Sequence, residues 1–253
     1  MKKFLFLLFF VFCYTNISAQ TGKELLQTCV SAMQLNKLDS FKTMSVKAYQ
    51  YDTRGNKASL RFYSKDYSEG IEGAESDEKM RLEASSMGKD QAFVFDNDEI
   101  FQVVPKYEEI DKEDASQLSF ILNTLFPTHS IFQIAKHIAK DTTDKIMYNL
   151  QEGTTKFNDK NCKKVNVVSA EKPDEVAQYM YFDEATNWFQ GVETPTEQGI
   201  ISLLCSGFKK TKGHVYPTTI KILADGKKVV EIEIDKLEVD INLEDSLFST
   251  KKK

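Results

Sequence analysis

The chain has few of the residues that usually carry chemistry. Its 253 residues include three histidines and one tryptophan. His129, His137 and His214 stand at no metal-ligand spacing, and no H-E-x-x-H motif occurs. The sequence also contains no G-x-S-x-G string and no glycine-rich phosphate loop. We therefore predict no catalytic residue, no metal site, no cofactor and no enzymatic activity.

Arginine is also scarce, and the balance of charge is negative. The net charge is −5, and loss of Lys2 and Lys3 with an N-terminal signal lowers it to −7. Arginine occurs only at Arg54, Arg61 and Arg81. An acidic chain with only three arginines is a poor binder of nucleic acid, so we expect no partner of that class.

Long apolar runs are absent except at the N-terminus. Two lysines precede the apolar segment 4–14, and the small residue Ala19 follows it. This order is typical of a cleavable secretion signal. The apolar run is about eleven residues long, whereas a membrane-spanning helix needs about twenty. We predict a signal peptide over 1–19, a single domain over 20–253, no transmembrane segment, and export to the periplasm.

Cysteine is rare, and its roles stay open at this point. Lipid attachment at Cys13 is disfavoured because the preceding Phe12 is bulky. Cys29, Cys162 and Cys205 remain after cleavage, and an odd number cannot be fully paired. They are either small buried apolar residues, or Cys162 and Cys205 form one disulfide between neighbouring strands.

Alternating apolar and polar residues predict about a dozen strands. The turn sequences Thr53–Asn56 and Asp225-Gly226 separate some of them. The predicted strands are 44–51, 58–65, one around 80–84, 92–95, 100–104, 145–151, 154–157, 162–169, 177–183, 187–194, 200–208, 216–223 and 228–240.

Helical periodicity occurs in two places. Thr21 and Glu24 form a capping box ahead of an apolar helical face. A helical insert follows the first strands, with one helix over 115–126, a break at Pro127 and a second helix capped by Ser130. Strands and helices do not alternate, which disfavours a parallel sheet. We predict a mainly β (α+β) fold, in which a curved antiparallel half-barrel has an N-terminal helix and a helical lid insert on its concave face.

Three C-terminal stretches resemble a known family. They are 161–167 with the Tyr179–Asp183 turn, the strand entry Gly213–Ile222, and the ending Ile241–Phe248 (INLEDSLF). Together they are similar to the outer-membrane lipoprotein carrier family (LolA/LolB-like, outer membrane lipoprotein-sorting proteins). The resemblance implies a half-open barrel with a helical lid. It also implies carriage of lipids or of lipoprotein acyl chains, with a role in outer membrane biogenesis.

The resemblance directs attention to the helical insert and the first strands as the lining of an apolar cavity. The predicted ligand-binding residues are Phe93, Phe95, Phe101, Leu118, Ile121, Leu122, Leu125, Phe126 and Phe132. Expected partners are lipid or lipoprotein acyl chains and envelope membrane proteins, with the carrier itself a monomer.

Composition alone does not decide whether such a cavity is open. The same apolar faces can close on each other and leave a dry core. The alternative hypothesis is therefore a non-enzymatic interaction module of the cell envelope with the same fold. A hydrolase with scattered catalytic residues is a third hypothesis.

Overall fold

The structure is a computed structural model that describes residues 20–66, 78–96, 99–111, 118, 124–140 and 145–250. The predicted signal peptide, 1–19, lies outside these residues. The described helices are α1 (Gly22–Met33), α2 (Pro127–Lys140) and two short 3-10 helices, Leu35–Ser40 and Asp245–Phe248. The strands before α2 are β1 (Thr43–Asp52), β2 (Lys57–Asp66), β3 (Glu78–Ser86), β4 (Lys89–Asp96), β5 (Glu99–Val104) and β6 (Glu108–Glu109).

In the described residues, ten further strands follow α2. They are β7 (Ile146–Leu150), β8 (Thr155–Phe157), β9 (Lys160–Ser169), β10 (Lys172–Asp183), β11 (Phe189–Thr196), β12 (Gly199–Ser206), β13 (Lys209–Thr211), β14 (His214–Tyr216), β15 (Thr219–Ala224) and β16 (Lys227–Val239).

In the described part of the chain, fourteen strands form one antiparallel sheet. Its order is β6-β5-β4-β3-β2-β1-β16-β15-β12-β11-β10-β9-β7, with β8 paired to β9. The sheet is curved and has two open edges, so it is not closed into a barrel. The predicted mainly β half-barrel is therefore confirmed.

Both helices lie on the concave face of the sheet. The capping box of α1 is present as predicted, since the Thr21 hydroxyl accepts from the Glu24 amide at 3.1 Å and the Glu24 carboxylate accepts from the Thr21 amide at 2.7 Å. Gly22 packs directly against the backbone of Tyr148 in β7, where a Cβ atom would meet the Tyr148 carbonyl oxygen. This close approach holds the start of α1 on the edge of the sheet.

The helical insert differs from the prediction at its break. Leu118, Thr124 and Leu125 are helical, but Phe126 is not, and α2 begins at Pro127 instead of after Ser130. The Phe126 carbonyl accepts hydrogen bonds from the amides of His129 and Ser130. Proline suits the first position of a helix because its missing N–H would have no partner there. Pro127 therefore starts the second helix, and the prediction that Ser130 caps it was wrong.

The predicted strand 216–223 is divided at Pro217. β14 ends at Tyr216, and β15 begins at Thr219. β14 pairs with β13 in a separate two-stranded ribbon, because Pro217 cannot donate to a continuous ladder. This ribbon contacts α1 and the first 3-10 helix, so it helps to close that end of the sheet.

The structure decides between the two roles considered for the cysteines, which were buried apolar residues or a disulfide. Cys29, Cys162 and Cys205 are all free and buried. Burial raises the pKa of the Cys29 thiol to about 12 and that of Cys162 to about 11, and it raises the pKa of Cys205 as well. The three thiols are therefore small core residues that stay neutral, and the alternative Cys162–Cys205 disulfide is not formed.

The three family-like stretches have structural roles. Asp183 closes the turn after β10, where its Oδ1 accepts from the Ala185 and Thr186 amides. Near the C-terminus, Phe248 is buried, and the Leu247 carbonyl accepts a hydrogen bond from Arg81 at 3.0 Å. Asp183, Leu247 and Phe248 hold the fold together and do not line a ligand site.

Candidate functional site

The candidate site is an apolar cleft between α2 and the concave face of β10, β11, β12 and β15. Its volume is about 190 Å³. The residues that line it are Thr124, Pro127, Ser130, Ile131, Ile134, Gln178, Met180, Phe189, Val192, Thr194, Ile201, Leu203 and Ile222. Among the described residues, no charged side chain lines the cleft, so it suits a hydrocarbon group.

Strand register builds the floor of the cleft. Met180, Val192, Leu203 and Ile222 lie directly opposite one another on four neighbouring strands. Opposite residues of an antiparallel ladder point to the same face. This row therefore forms a continuous apolar strip beneath α2.

The cleft is closed at one end and open at the other. Phe189 and Met180 are buried at the closed end. Towards the turn between β11 and β12, Gln178 and Thr194 are half-buried, and Ile201 is 40% exposed. The Gln178 side-chain amide donates to the Thr194 hydroxyl at 3.3 Å. The mouth of the cleft thus combines an apolar side chain with an uncharged polar pair.

Helix α2 acts as the cover because it is amphipathic. Ile131, Phe132 and Ala135 are buried against α1 and the sheet, and Ile134 is partly buried. On its outer side, the Lys136 ammonium contacts the two carboxylate oxygens of Asp39 at 3.0 and 3.1 Å. An ion pair between half-exposed side chains stabilises a contact only slightly. The cover is consequently held mainly by its apolar face.

The sheet behind the cleft is reinforced from its convex face. The rings of Phe157 and Tyr181 are stacked, with centroids 3.9 Å apart and an interplanar angle of 2°. Gly191, at φ +147, leaves room for Phe157, since a Cβ there would meet the Phe157 ring and the Leu203 carbonyl. The Tyr181 hydroxyl donates to Glu193 at 2.5 Å. This packing fixes the strands that form the floor.

Most of the predicted ligand-binding residues lie in a different part of the concave face. Phe93, Phe95, Leu118 and Leu125 are buried in one core cluster. Phe126 packs on that cluster, and its ring centroid lies 4.5 Å from that of Phe62. These residues fill the space beneath β1–β5 and do not line the cleft.

The other predicted residues are placed differently again. Phe132, on α2, is buried in the core cluster that α2 forms with α1 and with strands β9 to β12. Phe101 lies opposite Val94 in the ladder, on the face away from Phe93 and Phe95, and its ring stacks with Tyr107 at 5.9 Å. Phe101 is therefore not on the predicted concave face. Ile121 and Leu122 lie outside the described residues.

The prediction missed the cleft floor although its pattern is visible in the sequence. Alternating apolar residues at 180 and 182, at 201, 203 and 205, and at 220 and 222 mark one face of β10, β12 and β15. Their proximity to α2 is a property of the strand order, which no local pattern contains.

Within the described ranges, no group of His, Cys, Asp and Glu side chains is arranged to hold a metal ion.

Comparisons with known proteins give the fold. No family model matches the chain, and no curated protein matches it in sequence. A solved structure of a DUF1329 family protein from Desulfovibrio piger matches with a TM-score of 0.52 at 15% identity, covering 90% of this chain and 95% of that one. At this identity the likeness shows the fold alone.

Two further solved structures are more distant. A LolA superfamily protein from Nitrosomonas europaea has a TM-score of 0.47 at 9% identity, covering 91% of this chain and 98% of that one. LprF from Mycobacterium bovis has a TM-score of 0.31 at 9% identity, covering 87% and 94%. The half-open antiparallel sheet with helices on one face is the architecture that the C-terminal motifs implied, so that expectation about the fold is confirmed.

Proposed function

We propose that the protein is a periplasmic carrier that binds an acyl chain, from a lipid or a lipoprotein, in the cleft beneath α2. The observation that carries this proposal is an uncharged apolar cleft that is open at one end. Transfer of hydrocarbon from water into such a site is favourable by roughly 25 cal/mol per Å² of buried apolar surface. None of the described helices has the length and apolar composition that a membrane span requires.

The size of the cleft limits how much of a ligand it holds. A volume of about 190 Å³ is smaller than the roughly 300–1,000 Å³ of sites that enclose drug-sized ligands. The cleft therefore accommodates part of one chain while α2 stays in place. A longer chain requires α2 to move outward, and the half-exposed ion pair between Lys136 and Asp39 gives little resistance to that movement.

Two adjacent isoleucines provide a matched test. Ile201 lines the mouth, whereas Ile200 lies on the opposite face of the same strand, and the two are 40% and 45% exposed. We expect Ile201→Trp to obstruct the mouth and to weaken uptake of a fluorescent acyl probe at least about tenfold, a change of about 1.4 kcal/mol. Ile200→Trp adds the same bulk on the other face and should leave uptake unchanged.

The measurement is probe fluorescence in a titration, together with native mass spectrometry of the protein purified from periplasm. A co-purifying lipid and selective loss of uptake in Ile201→Trp support the carrier function. An empty wild-type protein that takes up no probe contradicts it. A stable protein partner without lipid would instead favour the envelope interaction module.

A further inference from the structure

The exposed apolar side chains are gathered at one end of the sheet. In the described part of the chain, the exposed large hydrophobic residues are Met87 (78%), Ile146 (40%), Ile200 (45%) and Ile201 (40%). Strand register places all four at the end where β3 turns into β4, β7 begins and β12 begins. We call these four residues the open rim. The opposite end carries α1, the first 3-10 helix and the β13–β14 ribbon.

Met87 is an unusual residue for its position. It forms a two-residue hairpin turn with Gly88, and both have positive φ, 51° and 74°. Such turns favour Asn, Asp and Gly. Among the described turns with the same geometry, Asn158–Asp159 and Asp225–Gly226 follow that preference, whereas Lys212–Gly213 has, like Met87–Gly88, a non-preferred first residue. Unlike Lys212, which is charged, Met87 presents an apolar side chain to solvent at the tip of its turn, where it is free to contact another apolar phase.

The spacing of the open rim favours a flat, fluid surface over a shaped protein pocket. Ile200 and Ile201 on β12 are four strands from Ile146 and five from Met87. At about 4.8 Å per strand, these separations along the sheet are about 19 Å and 24 Å. Protein partners are usually bound through a compact central cluster of buried side chains. Separate apolar points around a rim can enter a lipid bilayer independently of one another.

Charge at this end is mixed in sign. The exposed cations Arg54, Lys89 and Lys227 lie among the carboxylates Asp90, Glu197 and Asp225, while Lys172 and Lys228 form ion pairs with Glu175 and Glu231. A surface of mixed charge gives little net attraction to anionic lipids. Contact through the open rim is thus expected to depend on apolar insertion.

The cleft opens at this same end. Ile201 belongs both to the cleft mouth and to the open rim. We infer that the open rim is the surface through which the carrier touches a lipid bilayer, so that an acyl chain passes between the bilayer and the cleft without crossing water. This inference rests on the proposed carrier function for the identity of the cargo.

Vesicle flotation of the mature chain tests the contact. The probes are phosphatidylcholine vesicles, with and without phosphatidylglycerol. We expect the wild type to bind both, and the double variant Met87→Ser/Ile200→Ser to bind about tenfold more weakly. Neither substituted residue lines the cleft, so uptake of an acyl probe from solution should be unchanged. The control Glu184→Ile adds an exposed apolar residue at the turn after β10, at the opposite end, and should not strengthen binding.

The outcomes separate this inference from the carrier function. Probe uptake without vesicle binding by the wild type overturns the open rim as a membrane contact and leaves the carrier function supported. Binding only to vesicles with phosphatidylglycerol, or equal binding by the double variant, also overturns it. Vesicle binding without probe uptake overturns the carrier function and supports the membrane contact.

Discussion

The concave face of the sheet has a filled half and an open half. Beneath β1–β5, aromatic rings occupy the space, with Phe62 and Phe126 in contact and Phe93 and Phe95 buried beside them. Beneath β10–β12 and β15, aliphatic side chains such as Val192 and Leu203 face a single helix, and a cleft remains. Within one continuous sheet, the half that carries the packed aromatic rings is closed, and the half that is lined mainly by aliphatic side chains keeps a cleft.

The largest expected effect on stability comes from removing one buried ring from the filled half of the concave face. Phe95→Ala removes a buried ring and should lower the free energy of unfolding by about 3–5 kcal/mol. The measurement is urea unfolding at equilibrium. Leu203→Ala, in the open half, should cost less, because Leu203 is only half-buried and already adjoins the cleft. Equal losses for the two variants would contradict the division of the face into a filled and an open half.

A second prediction concerns the sealed end of the sheet, where the ribbon holds His214. This side chain is 2% exposed, lies beside the rings of Phe41 and Tyr216, and its Nδ1 atom has no hydrogen-bond partner. Burial, and secondarily the nearby His129, lower the pKa of His214 from 6.5 to about 4. A lowered pKa means that the unfolded chain binds the proton more readily than the folded chain does.

The stability contribution of neutral His214 is therefore present above pH 6.5 and is lost as the pH falls towards 4. The maximum loss is about 3 kcal/mol, from about 1.4 kcal/mol per pKa unit. Unfolding free energies measured between pH 7 and 4 should show it as the difference between wild type and His214→Phe, which keeps a ring without a titrating group. Parallel pH profiles for the two proteins would contradict a neutral buried His214.

The smallest expected effect concerns the cover of the open half. Lys136→Gln breaks the ion pair with Asp39 and should change the free energy of unfolding by less than about 1 kcal/mol. Local opening of α2 should increase, with amide hydrogen exchange in α2 faster by up to about fivefold. Lys172→Gln breaks a comparable exposed pair on β10, remote from α2, and serves as the control. Unchanged exchange in both variants would show that the ion pair does not restrain the cover.

Local sequence patterns predicted most helices, strands and turns well, but not the face of the sheet on which each side chain lies. The turns at 53–56 and at Asp225-Gly226, and the capping box of α1, are where the residue chemistry placed them. The prediction that Phe101 lies on the concave face was wrong. Ile100 and Phe101 are both apolar, so alternation within β5 could not show which of them faces the concave side of the sheet. The pairing of Phe95 with Ile100 across the hairpin decides it. Pro127 was predicted to end one helix, and it also begins the next. Proline is compatible with both positions, so the local sequence alone did not show that α2 starts there.

The sequence by itself determined the antiparallel strands, the amphipathic helices and the absence of a recognisable catalytic motif, because these depend on side-chain periodicity and residue chemistry over short distances. The tertiary structure decided which apolar residues meet. It joined β15 to β12 and placed α2 over both, which created the cleft, and it buried Phe93 and Phe95 in a closed core. It also brought Met87, Ile146, Ile200 and Ile201 to one end. Those contacts depend on the strand order and register across the whole sheet, which no short stretch of sequence specifies.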